Sequence, residues 1–412
     1  MKERFSYLKI GYQPNRRREI VAVYRLEPAK GGHFAETAQA IAAESSIGTW
    51  THLKTLSEDV FKDLAAKVFF LDEKTKTVKI AYPLDLFEEG NLPQLLSSLA
   101  GNVFSMKEVA HLRLEDIEFP VDYVKEFAGP DFGLEGVRKT LNIFNQPIVG
   151  SIMKPKIGLT SKQNAKLAYE VFKNGVDFVK DDENLTSLNI NPFESRVEQV
   201  LAWKKKAEKE TGQKKIYAFN ITAPVGEMME RARIVQESGG KCVMVDIISL
   251  GWSALQFLRR EETGLIIHGH RAGHGLFDRV PNQGMTMYVL AKLARLAGVD
   301  QLHTGTVVGK MEGNREEVIK INNFLQAEWH GLKPVLPVAS GGLHPALVPS
   351  LIDVLGSDLV MNFGGGIHGH PRGSVAGAKA VRLAVEAVME GVPLSQKAKD
   401  NPVLQEALDY WL

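Results

Sequence analysis

Val176-Asp177-Phe178-Val179-Lys180-Asp181-Asp182-Glu183 sets an apolar run directly against a lysine and three carboxylates. The run reads as a short buried strand and the charged tetrad as its C-terminal end. Side chains alternate along a strand, so Lys180 and Asp182 share one face, Asp181 points to the other, and Glu183 can turn inward where the strand stops. Two carboxylates facing one point make a hard oxygen site suited to Mg2+, which a protonated lysine would repel. A buried lysine in that company can lose its proton, and the neutral amine can add CO2 to become a carbamate, an anionic oxygen donor. Taken by itself the tetrad also fits an ion-paired, solvated strand end, so its neighbours in the chain must decide.

Outward from this stretch the same unit repeats. Short apolar runs recur from about Pro147 at intervals of roughly 30 residues, each followed by a polar or glycine-rich turn and a helical pattern. There are eight: Ile148–Met153, Val176–Val179, Lys215–Asn220, Cys242–Ile247, Leu265–His268, Gln301–Thr304, Val335–Ala339 and Leu359–Phe363. Amphipathic segments lie between them, among them Lys162–Lys173, Gly226–Ser238, Met285–Leu296 and Val375–Met389. Eight alternating β and α units predict a (β/α)8 barrel over residues 131–412. Residues 1–130 mix strands (Glu19–Tyr24, Lys67–Leu71, Thr77–Tyr82, His111–Phe119) with helices (Phe34–Glu44, Leu92–Val103) and no regular repeat, which predicts a separate α+β domain. The turn-rich Phe127–Gly133 is the expected junction.

The bulk numbers exclude several classes. With 412 residues, 44% hydrophobic and 24% charged, and a net charge of +1, the chain reads as a globular enzyme-sized protein with no bias toward nucleic acid or an anionic membrane. Its one cysteine, Cys242, lies in an apolar run and reads as a buried structural thiol. With no signal-peptide core and no spanning stretch, a cytoplasmic location is expected.

In such a barrel the site lies at the C-terminal ends of the strands. The first ends in Lys154-Pro155-Lys156, the fifth in His268-Gly269-His270-Arg271, the sixth in His303-Thr304-Gly305 and on to Lys310. The seventh ends in Ser340-Gly341-Gly342 and the eighth in Gly364-Gly365-Gly366. Glycine-rich turns opening a helix suit a phosphate, and Arg271 with His303 can serve a second one, so a bisphosphate is the expected substrate. A metal on vicinal oxygens of a sugar phosphate would acidify the neighbouring C–H, and a base is then needed, either the carbamate at position 180 or Lys154. Lys310, in a glycine-flanked loop, can bring an ammonium to a developing carboxylate.

These motifs, with Gly175–Asn184, Glu44-Ser45-Ser46-Ile47-Gly48-Thr49-Trp50-Thr51 and Gly101-Asn102-Val103-Phe104, resemble the large subunit of ribulose-1,5-bisphosphate carboxylase/oxygenase (RuBisCO) over nearly the whole chain, nearest to the archaeal type III group. The resemblance implies a ferredoxin-like first domain, a carbamate on Lys180, and Mg2+ held with Asp182 and Glu183. It implies Lys154 as acid/base, Lys156 in support, His270 at the substrate hydroxyls, and Lys310 on CO2, oriented by Glu44, with Asn102 near the metal-bound substrate. One phosphate would meet Thr49, Trp50, Gly364 and Gly365, the other Arg271, His303 and Ser340. Glu44, Thr49, Trp50 and Asn102 would reach a neighbouring subunit, so a homodimer or an oligomer of dimers is expected, acting on ribulose-1,5-bisphosphate with CO2 or O2. Departures from the plant-like pattern are Gly273 for Met, Ile152 for Thr, Asn362 for Gln and Ile367-His368 for Thr-Leu. The alternatives are a RuBisCO-like enolase acting on 2,3-diketo-5-methylthiopentyl-1-phosphate and a sugar-phosphate-binding homologue without activity.

Overall fold

The computed structural model describes residues 5–309 and 315–412. Two compact units follow contacts rather than chain order: the chain up to Ala128 groups with Gly273–Leu296, and Gly129–Ala272 groups with Ala297–Leu412.

In the first unit β1 (Glu19–Pro28), β2 (Lys67–Asp72), β3 (Thr77–Pro83) and β4 (Val109–Glu118) form an antiparallel sheet in the order β4-β1-β3-β2. Helices Phe34–Glu44 and Leu92–Leu99 each send a buried apolar stripe into this unit's core. Strand–helix–strand, then strand–helix–strand, in this order is the ferredoxin-like arrangement expected above.

The second unit is a closed parallel barrel. Its first five strands are β5 (Ile148–Ile152), β6 (Phe178–Lys180), β7 (Ile216–Asn220), β8 (Cys242–Asp246) and β9 (Ile266–His270). The two-residue β10 (Gly284–Met285) pairs with β4 instead and adds a parallel edge to the first sheet. The barrel resumes with β11 (Gln301–His303), β12 (Leu336–Ser340) and β13 (Val360–Phe363), which closes on β5. All eight expected runs are strands. Three run further than expected: β6 extends to Lys180, β9 to His270 and β12 to Ser340, which carries their polar ends into the sheet.

Alternate residues fill the interior, with Ile148, Phe178, Ile216, Cys242, Leu336 and Val360 in one buried cluster. Asp300 fastens the entry side. Its Oδ1 accepts from the Phe132 and Gly133 N–H groups at 2.7 and 2.8 Å, and its Oδ2 from Ile267 N–H at 2.8 Å and Arg259 at 2.6 Å. Among the described residues no helix is long and apolar enough to cross a membrane.

Candidate active site

Phe178 belongs to the core, so alternation turns Lys180 inward, and the side chain is fully buried. Its Nζ donates to Asp181 O at 2.9 Å and approaches Met244 Sδ at 3.3 Å. Burial lowers its pKa from the ordinary lysine value, against the opposing pull of Glu183, Asp182, Asp246 and Asp181. Asp181 faces the other way, as parity requires, into a buried pair with Arg196 at 3.2 Å. It also accepts from Tyr217 OH at 2.6 Å and Asn220 N–H at 2.9 Å. That cluster braces the turn on which Asp182 and Glu183 are mounted, and Asn220 Nδ2 reaches Glu183 O at 3.0 Å.

Both carboxylates carry lysine counterions. Lys154 Nζ lies 2.5 Å from Asp182 Oδ2, and Lys156 Nζ 3.1 Å from Glu183 Oε1. Burial pushes Asp182 and Glu183 up, but hydrogen bonds from Lys154 and Asn184 to the former, and a backbone N–H with the charges of His270 and Lys180 for the latter, outweigh it and hold both below the usual carboxylate range. The Lys156 ammonium is in turn held up by Glu183. Among the described residues no three His, Cys, Asp or Glu side chains converge as a metal site. A divalent cation fits here if the third oxygen donor comes from position 180, and the chemistry of a buried amine of lowered proton affinity beside two ionised carboxylates allows that.

His270 Nδ1 is 2.8 Å from Asp246 Oδ1 and 3.3 Å from the Ala272 N–H. A carboxylate can only accept, so the shorter contact places the proton on Nδ1 and leaves Nε2 as a lone pair. Nε2 lies 3.9 Å from Glu183 Oε2. Burial and the Lys180 charge lower the His270 pKa, favouring the neutral ring. Asp246 is not among the residues expected from sequence: it lies inside the fourth apolar run, and only the strand boundary makes it the last residue of β8. His303 Nε2 meets His268 Nε2 at 2.9 Å, and His268 Nδ1 meets Gln301 Oε1 at 2.6 Å. The Arg271 guanidinium packs against Gly305, where a Cβ would sit 2.6 Å from a guanidinium nitrogen.

Ser340 ends β12, with Gly341 and Gly342 in the turn that follows, both at positive φ. Gly364 caps the short helix Gly365–His368 beside Lys154, whose Cε is 3.4 Å from where a Cβ would stand. Lys154, Lys156, Lys180, Asp182, Glu183 and His270 are thus brought together at one end of the barrel. In the first unit Glu44 and Asn102 are brought together, Asn102 Nδ2 donating to Glu44 Oε1 at 3.3 Å. Thr49 and Trp50 lie just beyond helix Phe34–Glu44, with Trp50 89% exposed. Lys310 lies outside the described residues.

A family model described as "Ribulose bisphosphate carboxylase large chain, catalytic domain" matches residues 133–411, and one described as the N-terminal domain of the same chain matches residues 6–123. A protein of Pyrococcus abyssi named ribulose bisphosphate carboxylase is 50% identical over 410 residues, covering 98% of this chain and 96% of the relative. One of Methanosarcina mazei with the same name is 46% identical over 426 residues, covering 99% of each. Among solved structures, an octameric RuBisCO of Pyrococcus horikoshii in complex with sulfate superposes with a TM-score of 0.94 at 49% identity, covering 98% of this chain and 96% of that one. A dimeric archaeal RuBisCO of Hyperthermus butylicus gives 0.91 at 43%, covering 98% of each.

Proposed function

The chain belongs to the ribulose bisphosphate carboxylase large-chain family and is a carboxy-lyase; on that premise we propose that Lys180, carbamylated by CO2, holds Mg2+ with Asp182 and Glu183 while ribulose-1,5-bisphosphate is enolised and carboxylated. The observation that carries this reading is the full burial of Lys180, its proton affinity lowered, beside two carboxylates that other lysines neutralise. In carbamylation the neutral amine attacks CO2, an N–C bond forms, one C=O pair moves to oxygen, and the nitrogen proton leaves to solvent. Mg2+ bound there would supply the positive charge that makes the C–H beside the substrate's carbonyl acidic.

The protein's own groups supply the rest. Lys154, with a side chain 27% exposed, is placed to exchange protons with substrate carbon once its ammonium is released from Asp182. Lys156 supports it from Glu183. His270 takes a hydroxyl proton at Nε2, and Asp246 stabilises the ring as it becomes charged. Backbone N–H groups at Gly341, Gly342, Gly364 and Gly365 suit one phosphate, with Thr49 and Trp50, while Arg271, His303 and Ser340 suit the other. Lys310, oriented by Glu44, takes CO2, and Asn102 stands near the metal-bound substrate. Because the first-unit residues serve a neighbouring barrel in this reading, the working unit is a homodimer or an assembly of dimers, in the cytoplasm, within nucleotide salvage of the type III kind. The relatives carry the carboxylase name, which does not favour the diketo-enolase alternative.

Incubation with Mg2+, labelled bicarbonate and ribulose-1,5-bisphosphate should give labelled 3-phosphoglycerate; unlabelled product would sink the reading. Lys180→Ala should abolish CO2 activation and tight Mg2+ binding together, and turnover retained in that variant refutes the carbamate.

A further inference from the structure

Asn362 is 1% exposed, and neither its Oδ1 nor its Nδ2 has a hydrogen-bond partner among the described residues. A buried carboxamide orphaned at both ends costs stability with nothing in return from the polypeptide, which points to a group the polypeptide alone does not supply.

Its place in the barrel identifies that group. Val360 faces the core, so Asn362, two residues on, faces inward as well. Layers of a barrel are filled by alternate strands. β13, β6 and β8 alternate in the barrel order, and the Lys180–Met244 contact at 3.3 Å marks the layer that β6 and β8 share. Through β5 Asn362 pairs with Gly150 and Gly150 with Phe178, and through β7 Lys180 pairs with Ala218 and Ala218 with Cys242, yet Lys180 meets Met244, two residues past Cys242; the same two-residue stagger puts Asn362 in the layer of Lys180, two residues past Phe178. Only β5 stands between them, and its residue beside Asn362 has no side chain. A Cβ on Gly150 would meet Asn362 Oδ1 at 3.0 Å and Val360 Cγ1 at 2.9 Å, so the amide leans over the glycine toward β6. The next inward residue of β5, Ile152, brings no polar atom.

Resting on the carbamate reading above, we infer that Asn362 is the hydrogen-bonding partner of the CO2 adduct on Lys180. Its Nδ2–H donates to a carbamate oxygen and its Oδ1 accepts the carbamate N–H. A carbamate edge offers one acceptor and one donor side by side, the complement of a carboxamide, so one contact satisfies both orphaned atoms. Before CO2 arrives, the protein carries the cost of the vacant amide; afterwards the adduct is held in orientation as well as by charge.

The test uses the full-length protein equilibrated with Mg2+ and 13C-labelled bicarbonate, following the carbamate 13C resonance assigned by its loss in Lys180→Ala. Asn362→Leu, close in shape but apolar, should need about tenfold more CO2 for half-occupancy. Its thermal midpoint without CO2 should equal or exceed that of the parent, because an orphaned polar group has been removed. Asn362→Ala should follow it in CO2 dependence, and Asn362→Gln should recover most of the loss. Unchanged CO2 dependence in the Leu and Ala variants overturns the inference, as does a weakened carbamate seen only with a lowered midpoint, the mark of a purely structural role. A parent protein with no resonance that Lys180→Ala removes overturns the carbamate reading itself, and this inference with it.

Discussion

Lys180 has no access to solvent, and among the described residues its nitrogen hydrogen-bonds only a carbonyl and a thioether, so burial outweighs the pull of the nearby carboxylates on its ammonium form. A pKa lowered in the folded protein raises the neutral fraction at any pH below the ordinary lysine value, and only the neutral amine adds CO2. At fixed dissolved CO2, incorporation of label at Lys180 should therefore quicken as pH rises through the range below the ordinary lysine value, levelling off before that value is reached. A rate flat across that window would show that the amine is not the reacting group. Asp246 fixes the His270 ring through Nδ1. Asp246→Asn keeps the shape but lets Nδ1 become an acceptor, so the opposite tautomer forms; kcat should fall by about 100-fold or more with KM little changed. Steady-state kinetics on the folded variant decide this, and an unchanged kcat removes His270 from proton transfer.

At the level of elements, the turn after β6 depends on a cluster that the charged tetrad alone does not disclose. Asp181→Ala leaves Arg196 charged and unpaired in the interior and should cost about 3–5 kcal/mol in urea denaturation, with Asp181→Ala/Arg196→Met recovering much of it. Equal stability of the single variant and the parent would mean that water reaches Arg196. Partner choice of this kind was not legible from sequence, since Arg196 sits 15 residues downstream on another element. What was legible followed periodicity: eight apolar runs became eight strands, and Phe34–Glu44 is a helix to the residue. Where burial gives no period, the reading fell short. Helix Glu58–Leu64 buries no residue and so showed no stripe. Leu92–Val103, read as one helix, stops at Leu99 and restarts as a 3-10 turn at Asn102; between them Gly101 leaves the helical region at φ −88° and ψ −121°, a close approach to Ser97 O that only glycine allows, since a Cβ there would be 2.1 Å away. The site followed the same rule. Residues at run ends were found, whereas Asp246 and the orphaned Asn362 needed inward orientation and neighbours to be known.

At the scale of the whole molecule, the proposed homodimer makes a complementation test possible. Glu44→Gln and Lys180→Ala each disable a different half of a shared site. Mixed subunits should regain activity toward about a quarter of the parent, since half the dimers are mixed and each has one intact site. No recovery after verified subunit exchange would place Glu44 at its own barrel. The short parallel strand β10 has a consequence of another kind. It completes the edge of the first sheet by pairing Gly284 with Arg113, whose guanidinium also donates to Val280 O at 2.6 Å. On a ribosome adding about 5–20 residues per second, β4 is exported many seconds before its edge partner exists. For that interval the nascent sheet presents an open rim to the crowded cell, and the interval falls before the catalytic barrel has been fully translated.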